Sequence, residues 1–173
     1  GERPAAYVER MALSKAEQVS RRNPSSWVVA ADTIVIIDNT ILLKPASSKD
    51  AVDMLLSLAG REHTVQTWFC LRCREKGVST GGGVSTTVRF GPFDRAWAEA
   101  YAATGEPLDK AGAYGIQGIG GVLVEKIGGS YSNVVGLPLA ELLAELVRHR
   151  VVAPEPDRRT WAERPEKHGD KSA

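Results

Sequence analysis

The run from Trp27 through Val28-Val29-Ala30-Ala31-Asp32-Thr33-Ile34-Val35-Ile36-Ile37 sets the terms for the rest of the chain. Small and β-branched residues fill it almost without interruption, which fits a strand covered on both faces near the centre of a sheet. One acid stands inside it. A carboxylate in such a strand loses hydration, and it persists only where it meets neighbouring donors, binds a cation or opens onto a cleft. By itself the run fits an Asp32 satisfied by backbone amides as well as it fits a functional acid. The next residues favour the cleft. A turn at Asp38-Asn39-Thr40 leads within a few residues to Lys44-Pro45. A strand acid and a fixed cation across a tight turn make a site for an anionic ligand: the acid holds a metal or takes a proton, and the lysine meets a phosphate.

The remaining elements are set by period and punctuation. Val8, Met11, Ala12, Ala16 and Val19 recur at helical spacing, which predicts an amphipathic helix over 4–22, stopped by Asn23-Pro24-Ser25. Ser47 and Asp50 form a capping-box pattern for a second helix, ended by Gly60. His63–Arg74 and Val84–Phe90 alternate and are rich in β-formers, so they predict a long hairpin whose flexible tip is Glu75–Gly83. Asp94 caps a third helix, with Ala96, Trp97, Ala100 and Tyr101 expected to face inward. Asp109–Gly118 is dense in small residues that let a backbone pass close to something, with Lys110 and Gln117 as polar handles. Gly121–Ile127 is expected as a strand, and a last helix after Pro138 to carry Leu139, Leu142, Leu143, Leu146 and Val147 inward. Strands alternating with helices indicate an α/β fold: a single domain with a mixed, elongated central sheet flanked by helices. That domain covers residues 1–150, and 151–173 reads as a disordered charged tail.

The bulk properties narrow the class. A chain of 173 residues, 43% hydrophobic and 25% charged, is large enough for one real core. A net charge of +1 offers no global field for a nucleic acid polymer. No apolar run is long enough to span a bilayer. Cys70 and Cys73 stand three apart within a strand pattern, where side chains leave opposite faces, so they are expected to be reduced structural thiols of a cytoplasmic protein.

Five blocks stand in a telling order: Ala31-Asp32-Thr33; Lys44-Pro45; Leu58-Ala59-Gly60-Arg61-Glu62-His63-Thr64-Val65-Gln66-Thr67; Asp109-Lys110-Ala111-Gly112-Ala113-Tyr114-Gly115-Ile116-Gln117-Gly118; and Asn133-Val134-Val135-Gly136-Leu137-Pro138. In that order they resemble the Maf family of nucleoside triphosphate pyrophosphatases, over nearly everything from Pro4 to about Val147. The resemblance implies a fold similar to the inosine triphosphatases. It implies hydrolysis of a nucleoside triphosphate between the α- and β-phosphates, with Mg²⁺ or Mn²⁺ as cofactor, in a nucleotide house-cleaning role linked to septum formation, and a homodimer as the assembly. Gln117 resembles the branch acting on dTTP, UTP and modified pyrimidines, since the branch preferring methylated GTP carries an acid there. Carried over by position, Asp32 matches the catalytic acid and metal ligand, Lys44 a phosphate-contacting lysine, Lys110 a second pocket lysine, and Thr33 and Gln117 positions tied to base choice.

The match also has departures. The family opens with a strand and a Ser-x-Ser-Pro-Arg-Arg loop followed by an acid near the metal, and Gly1-Glu2 aligns just after that acid. Leu43 and Trp68 stand where the family usually has glycine, and a tryptophan beside Thr67 is expected to crowd the pocket. Without the arginine loop, catalysis is expected to be impaired on the order of 10²–10³ in rate. The alternative is a nucleotide-binding or regulatory module that keeps the pocket and loses the chemistry.

Overall fold

A computed structural model describes residues 2–154; of the charged tail expected over 151–173, all but the first four residues lie outside the described residues. Five helices and five strands follow in the order α1 (Pro4–Arg22), β1 (Val28–Ile37), β2 (Thr40–Leu42), α2 (Ser48–Leu58), β3 (Glu62–Cys73), β4 (Val78–Phe90), α3 (Arg95–Ala103), β5 (Val124–Gly128), α4 (Tyr131–Val135) and α5 (Leu139–Arg148). Short 3₁₀ turns at Glu106–Asp109, Ala111–Ala113 and Ile119–Leu123 fill the stretch between α3 and β5.

The sheet runs in the order β2-β1-β3-β4-β5, so the continuously apolar β1 is interior and the alternating β3 is central. Every neighbouring pair is antiparallel, which corrects the mixed sheet expected from the alternation of helix and strand. The reason is where the helical connections land. The α2 connection joins β2 to β3, which run the same way but lie on either side of β1. The α3 connection joins β4 to β5, which are antiparallel neighbours. Crossovers are present, and none places two parallel strands side by side.

Successive side chains of β1 leave opposite faces. On one face Val35 and Ile37 join a core with Val65, Val88, Phe90, the α2 residues Ala51, Val52, Leu55 and Leu58, and Ala98 and Tyr101 of α3. On the other, α1 lies across β1 and β3, burying Val8, Ala12, Ala16 and Ser20 in a line with a spacing of four. Two charged residues flank that line. Lys15 reaches Asp32 of β1, while Glu17 takes Arg72 of β3 and Arg74 just beyond it, as well as Arg21 within the helix.

Local chemistry explains the ends of the elements. The β1–β2 turn places both Asp38 and Asn39 at positive φ, 49° and 63°, as a two-residue hairpin turn demands. Arg61 fixes it by donating to both Asp38 oxygens at 2.7 Å. Ser47 caps α2, accepting from the Asp50 amide at 3.2 Å, and Asp94 caps α3 by accepting from Trp97 N at 3.1 Å. Cys70 and Cys73 are buried free thiols.

Three expectations about packing fail. Gly81-Gly82-Gly83 is not a hairpin tip but the middle of β4, opposite Cys70, Phe69 and Trp68; the tip is the turn from Arg74 to Gly77. A side chain at Gly83 would stand 2.8 Å from the Trp68 ring, so the glycine makes room for the indole. Trp97 faces out at 63% exposure, while Ala98, Tyr101 and Ala102 face in. Of the leucines of α5 only Leu142 is buried; Leu139, Leu143 and Val147 are about half exposed. The helical period was sound in both helices, but amphipathic spacing does not say which part of an apolar arc a neighbour covers. The strand expected from Gly121 starts at Val124, because 119–123 form a 3₁₀ turn first.

Candidate active site

Asp32 and Thr33 sit where β1 has lost its outer neighbour. The short β2 pairs only with Val35–Ile37, so among the described residues the Ala31–Thr33 edge is free on that side. A cavity of about 240 Å³ wraps this edge, lined among others by Lys15, Asp32, Thr33, Lys44, Asp109 and Lys110. A second cavity, about 330 Å³, adjoins it and is lined by Glu106, Gln117 and the Gly115–Gly118 backbone. Lys110, Tyr114, Val134 and Val135 line both, so they form the wall between the two.

Each charged group reaches the cavity from a different element. Lys15 comes from α1, forming an ion pair with Asp32 and donating to the Ala31 carbonyl at 3.3 Å. Lys44 comes just after β2, on a segment pinned by the Gly112 amide donating to Leu43 O at 3.2 Å. Lys44 forms no ion pair among the described residues. Lys110 pairs with its neighbour Asp109 at 2.5 Å, and that contact, foremost, holds the Asp109 carboxyl below its ordinary range. Three lysines against two carboxylates leave the cavity cationic on a chain of net charge +1. That balance suits a polyanion.

The wall is rigid. Tyr114 is 5% exposed, and its hydroxyl shares a 2.9 Å hydrogen bond with Nε2 of His63. His63 and Tyr114 both pack edge-on against Phe90. Burial lowers the His63 imidazole to about 4, so it is neutral at pH 7, and burial raises the Tyr114 phenol. Below the wall, Thr33 Oγ1 donates to Thr67 Oγ1 at 2.9 Å, with Gly136 O 3.5 Å away. Thr67 donates on to Asn133 O, and the buried Asn133 amide donates to Val65 O and to Thr86 Oγ1. Asn133-Val134-Val135-Gly136 is thereby stitched to the sheet.

The structure therefore brings Asp32, Thr33, Lys44 and Lys110 into one cavity and places Gln117 in the adjoining one. Trp68 lies directly across the ladder from Asp32 but over Gly83, and it is not among the residues lining either cavity. Sequence reasoning missed Lys15, Tyr114 and Glu106. For Lys15 the signal was faint: a lysine one residue from the buried line of a helix that has to lie on the sheet.

The donor set bears on a metal. Among the described residues no three His, Cys, Asp or Glu side chains converge to hold an ion by themselves. Asp32 and Asp109 give the cavity hard oxygen donors of the kind Mg²⁺ or Mn²⁺ takes when phosphates and water complete its shell. The residues fit a hard divalent cation whose shell is completed by water and by oxygens of a bound anion.

A free strand edge bearing an acid, faced by lysines from three separate segments, defines an α/β domain with a site for a phosphorylated ligand. The chain belongs to the Maf family, described as "Maf-like protein", which it matches over residues 1–149. A protein of Desulfotalea psychrophila named dTTP/UTP pyrophosphatase is 57% identical over 152 residues, covering 88% of this chain and 78% of that protein. Proteins of the same name from Nitratidesulfovibrio vulgaris and an Anaeromyxobacter species are each 50% identical, covering 88% and 86% of this chain and 72% and 71% of theirs. Among the described residues no helix is long and apolar enough to cross a membrane.

Proposed function

We propose that this chain hydrolyses dTTP, UTP and base-modified pyrimidine analogues to the nucleoside monophosphate and pyrophosphate. The observation that carries the reading is the pairing of a cationic, acid-bearing cavity with an adjoining neutral one that holds Gln117. The triphosphate occupies the first and the base the second.

Asp32 accepts the proton of the water that attacks the α-phosphorus, and pyrophosphate leaves. Lys15 pairs with Asp32 in the free protein, so an incoming phosphate offers it a second anionic partner beside the acid. Lys44 and Lys110 offset the charge that accumulates on the phosphate oxygens. A divalent cation bound with the triphosphate would supply further charge neutralisation, with Asp32 as its protein ligand. Thr33 forms part of the cavity wall beneath the nucleotide. The Gln117 amide offers both a donor and an acceptor, matching a carbonyl and the N3–H of uracil or thymine.

The test is pyrophosphate release with Mg²⁺ across a panel of nucleoside triphosphates. UTP and dTTP are expected to be the best substrates, and Asp32→Asn to lower the rate by on the order of 10²–10³ or more with the fold intact. Retained turnover in that variant removes Asp32 from the mechanism. Nucleotide binding without release by the unmodified chain would make it a binding module.

A further inference from the structure

The loop that carries Gln117 has no strand and no long helix to hold it. Gly118 N turns back onto Gly115 O at 3.2 Å, and three other backbone donors go to two side chains from outside the loop. Ile119 N donates to Glu106 Oε2 at 2.9 Å, and Gly120 N to Glu106 Oε1 at 3.1 Å. The Tyr101 hydroxyl donates to the same Oε1 at 2.7 Å and accepts from Gly115 N at 3.1 Å. Three amides spread over six residues are thus gathered onto one carboxylate and one phenol. Burial works to raise the Glu106 carboxyl, but the Tyr101 hydroxyl, the two amides and the nearby Lys110 charge outweigh it and keep it ionised.

The glycines of the loop are shaped to this acid. A Cβ at Gly118 would stand 2.5 Å from the Glu106 carboxyl carbon, and one at Gly120 would stand 2.8 Å from Tyr101 Cζ. The run Gly115-Ile116-Gln117-Gly118-Ile119-Gly120 therefore reads as backbone cut to pass around a carboxylate. With Gln117 near its midpoint, the loop hangs from contacts on both sides of that side chain.

We propose that Glu106, with Tyr101 as its partner, is a positioning residue for base selection, holding the Gly115–Gly120 loop so that Gln117 meets the pyrimidine edge. The inference rests on the reading of Gln117 given above. Glu106 does not itself need to meet the base, because its oxygens already accept three donors. A displaced reader loses recognition steeply, since an error of about 1 Å in a positioned group can cost on the order of a hundredfold.

Gln117→Ala, Glu106→Gln and Tyr101→Phe test it together, with UTP and GTP as substrates. Glu106→Gln turns an all-acceptor group into one that presents donors to donors. It is expected to lower the UTP-to-GTP ratio of kcat/KM at least about tenfold, mainly through KM. Inhibition by free pyrophosphate changes less than this ratio, because only the neighbouring Lys110 links Glu106 to the phosphate cavity. In the same protein, hydrogen exchange at the Ile119 and Gly120 amides accelerates. Added to Gln117→Ala, it shifts the ratio no further. A folded Glu106→Gln with the unmodified ratio, or with kcat lowered equally for both nucleotides, overturns the proposal. If Gln117→Ala leaves the ratio unchanged, the base-reading role of Gln117 fails and takes the selection role of Glu106 with it. Unaltered exchange in Glu106→Gln, with the Gln117→Ala effect intact, defeats the clamp alone. Should Glu106→Gln fail to fold, Tyr101→Phe carries the same two outcomes, read at the Gly115 amide.

Discussion

The two cavities are built in opposite ways. The cationic one takes its principal residue from the sheet: Asp32 is held by ladder pairing with Trp68, and its backbone needs no side chain to place it. The base-side one takes its principal residue from a glycine-rich loop whose amides depend on Glu106 and Tyr101. A strand offers a fixed Cβ direction at no extra cost, which suits a group that must meet a reacting phosphorus. A loop can be reshaped without disturbing the core, which suits the group that decides which base is accepted.

Variants can break this division. The largest expected effect lies on the phosphate side. Lys15→Met and Lys44→Ala should each lower kcat by on the order of 10²–10³ to a similar degree for every nucleotide. A change in nucleotide preference in either, measured by pyrophosphate release, would collapse the two cavities into one function.

The wall between the cavities gives the next effect, on stability. His63 has an ordinary value of 6.5 in an unfolded chain and about 4 when buried here, so the fold favours its neutral form. The stabilisation is therefore complete above about pH 6.5 and is lost as pH falls toward 4, up to about 3 kcal/mol. Urea unfolding at pH 7 and pH 4.5 should show the loss. In His63→Gln the part of the pH dependence due to this group should vanish.

On the base side, Gln117→Glu should weaken UTP and dTTP by about tenfold to a hundredfold, because an added acceptor faces the base carbonyl. Unchanged relative rates would remove Gln117 as the reader. The smallest effect belongs to Thr33→Val. The hydroxyl is already engaged with Thr67 and Gly136, so the change should cost about 1 kcal/mol of stability and shift kcat/KM by less than about tenfold. A larger loss confined to pyrimidines would move base selection onto the strand.

Chemistry carried by single residues was readable from the chain alone. Asp32 stood out because an acid in a β-branched run is costly, and Lys44 because it came soon after the turn; the structure places both in one cavity. Caps were readable for the same local reason: Ser47 and Asp94 each bond an amide three residues on. Whatever depended on a partner distant in sequence was not. The contact of Lys15 with Asp32 spans 17 residues, and the place of Gly83 in a strand depends on the Trp68 ring above it. Glu106 carries no such local signal, since nothing in its neighbourhood foretells amides 13 and 14 positions away.

Helix α1 is moored like a boat between two quays. Lys15 ties one flank to β1, and Glu17 ties the other to the end of β3 and the turn beyond it. The two lines leave the helix on either side of the buried Ala16, so they oppose rolling of the helix on the sheet. The Asp32 cavity and the far end of the β3–β4 hairpin thus share one helix as their common support.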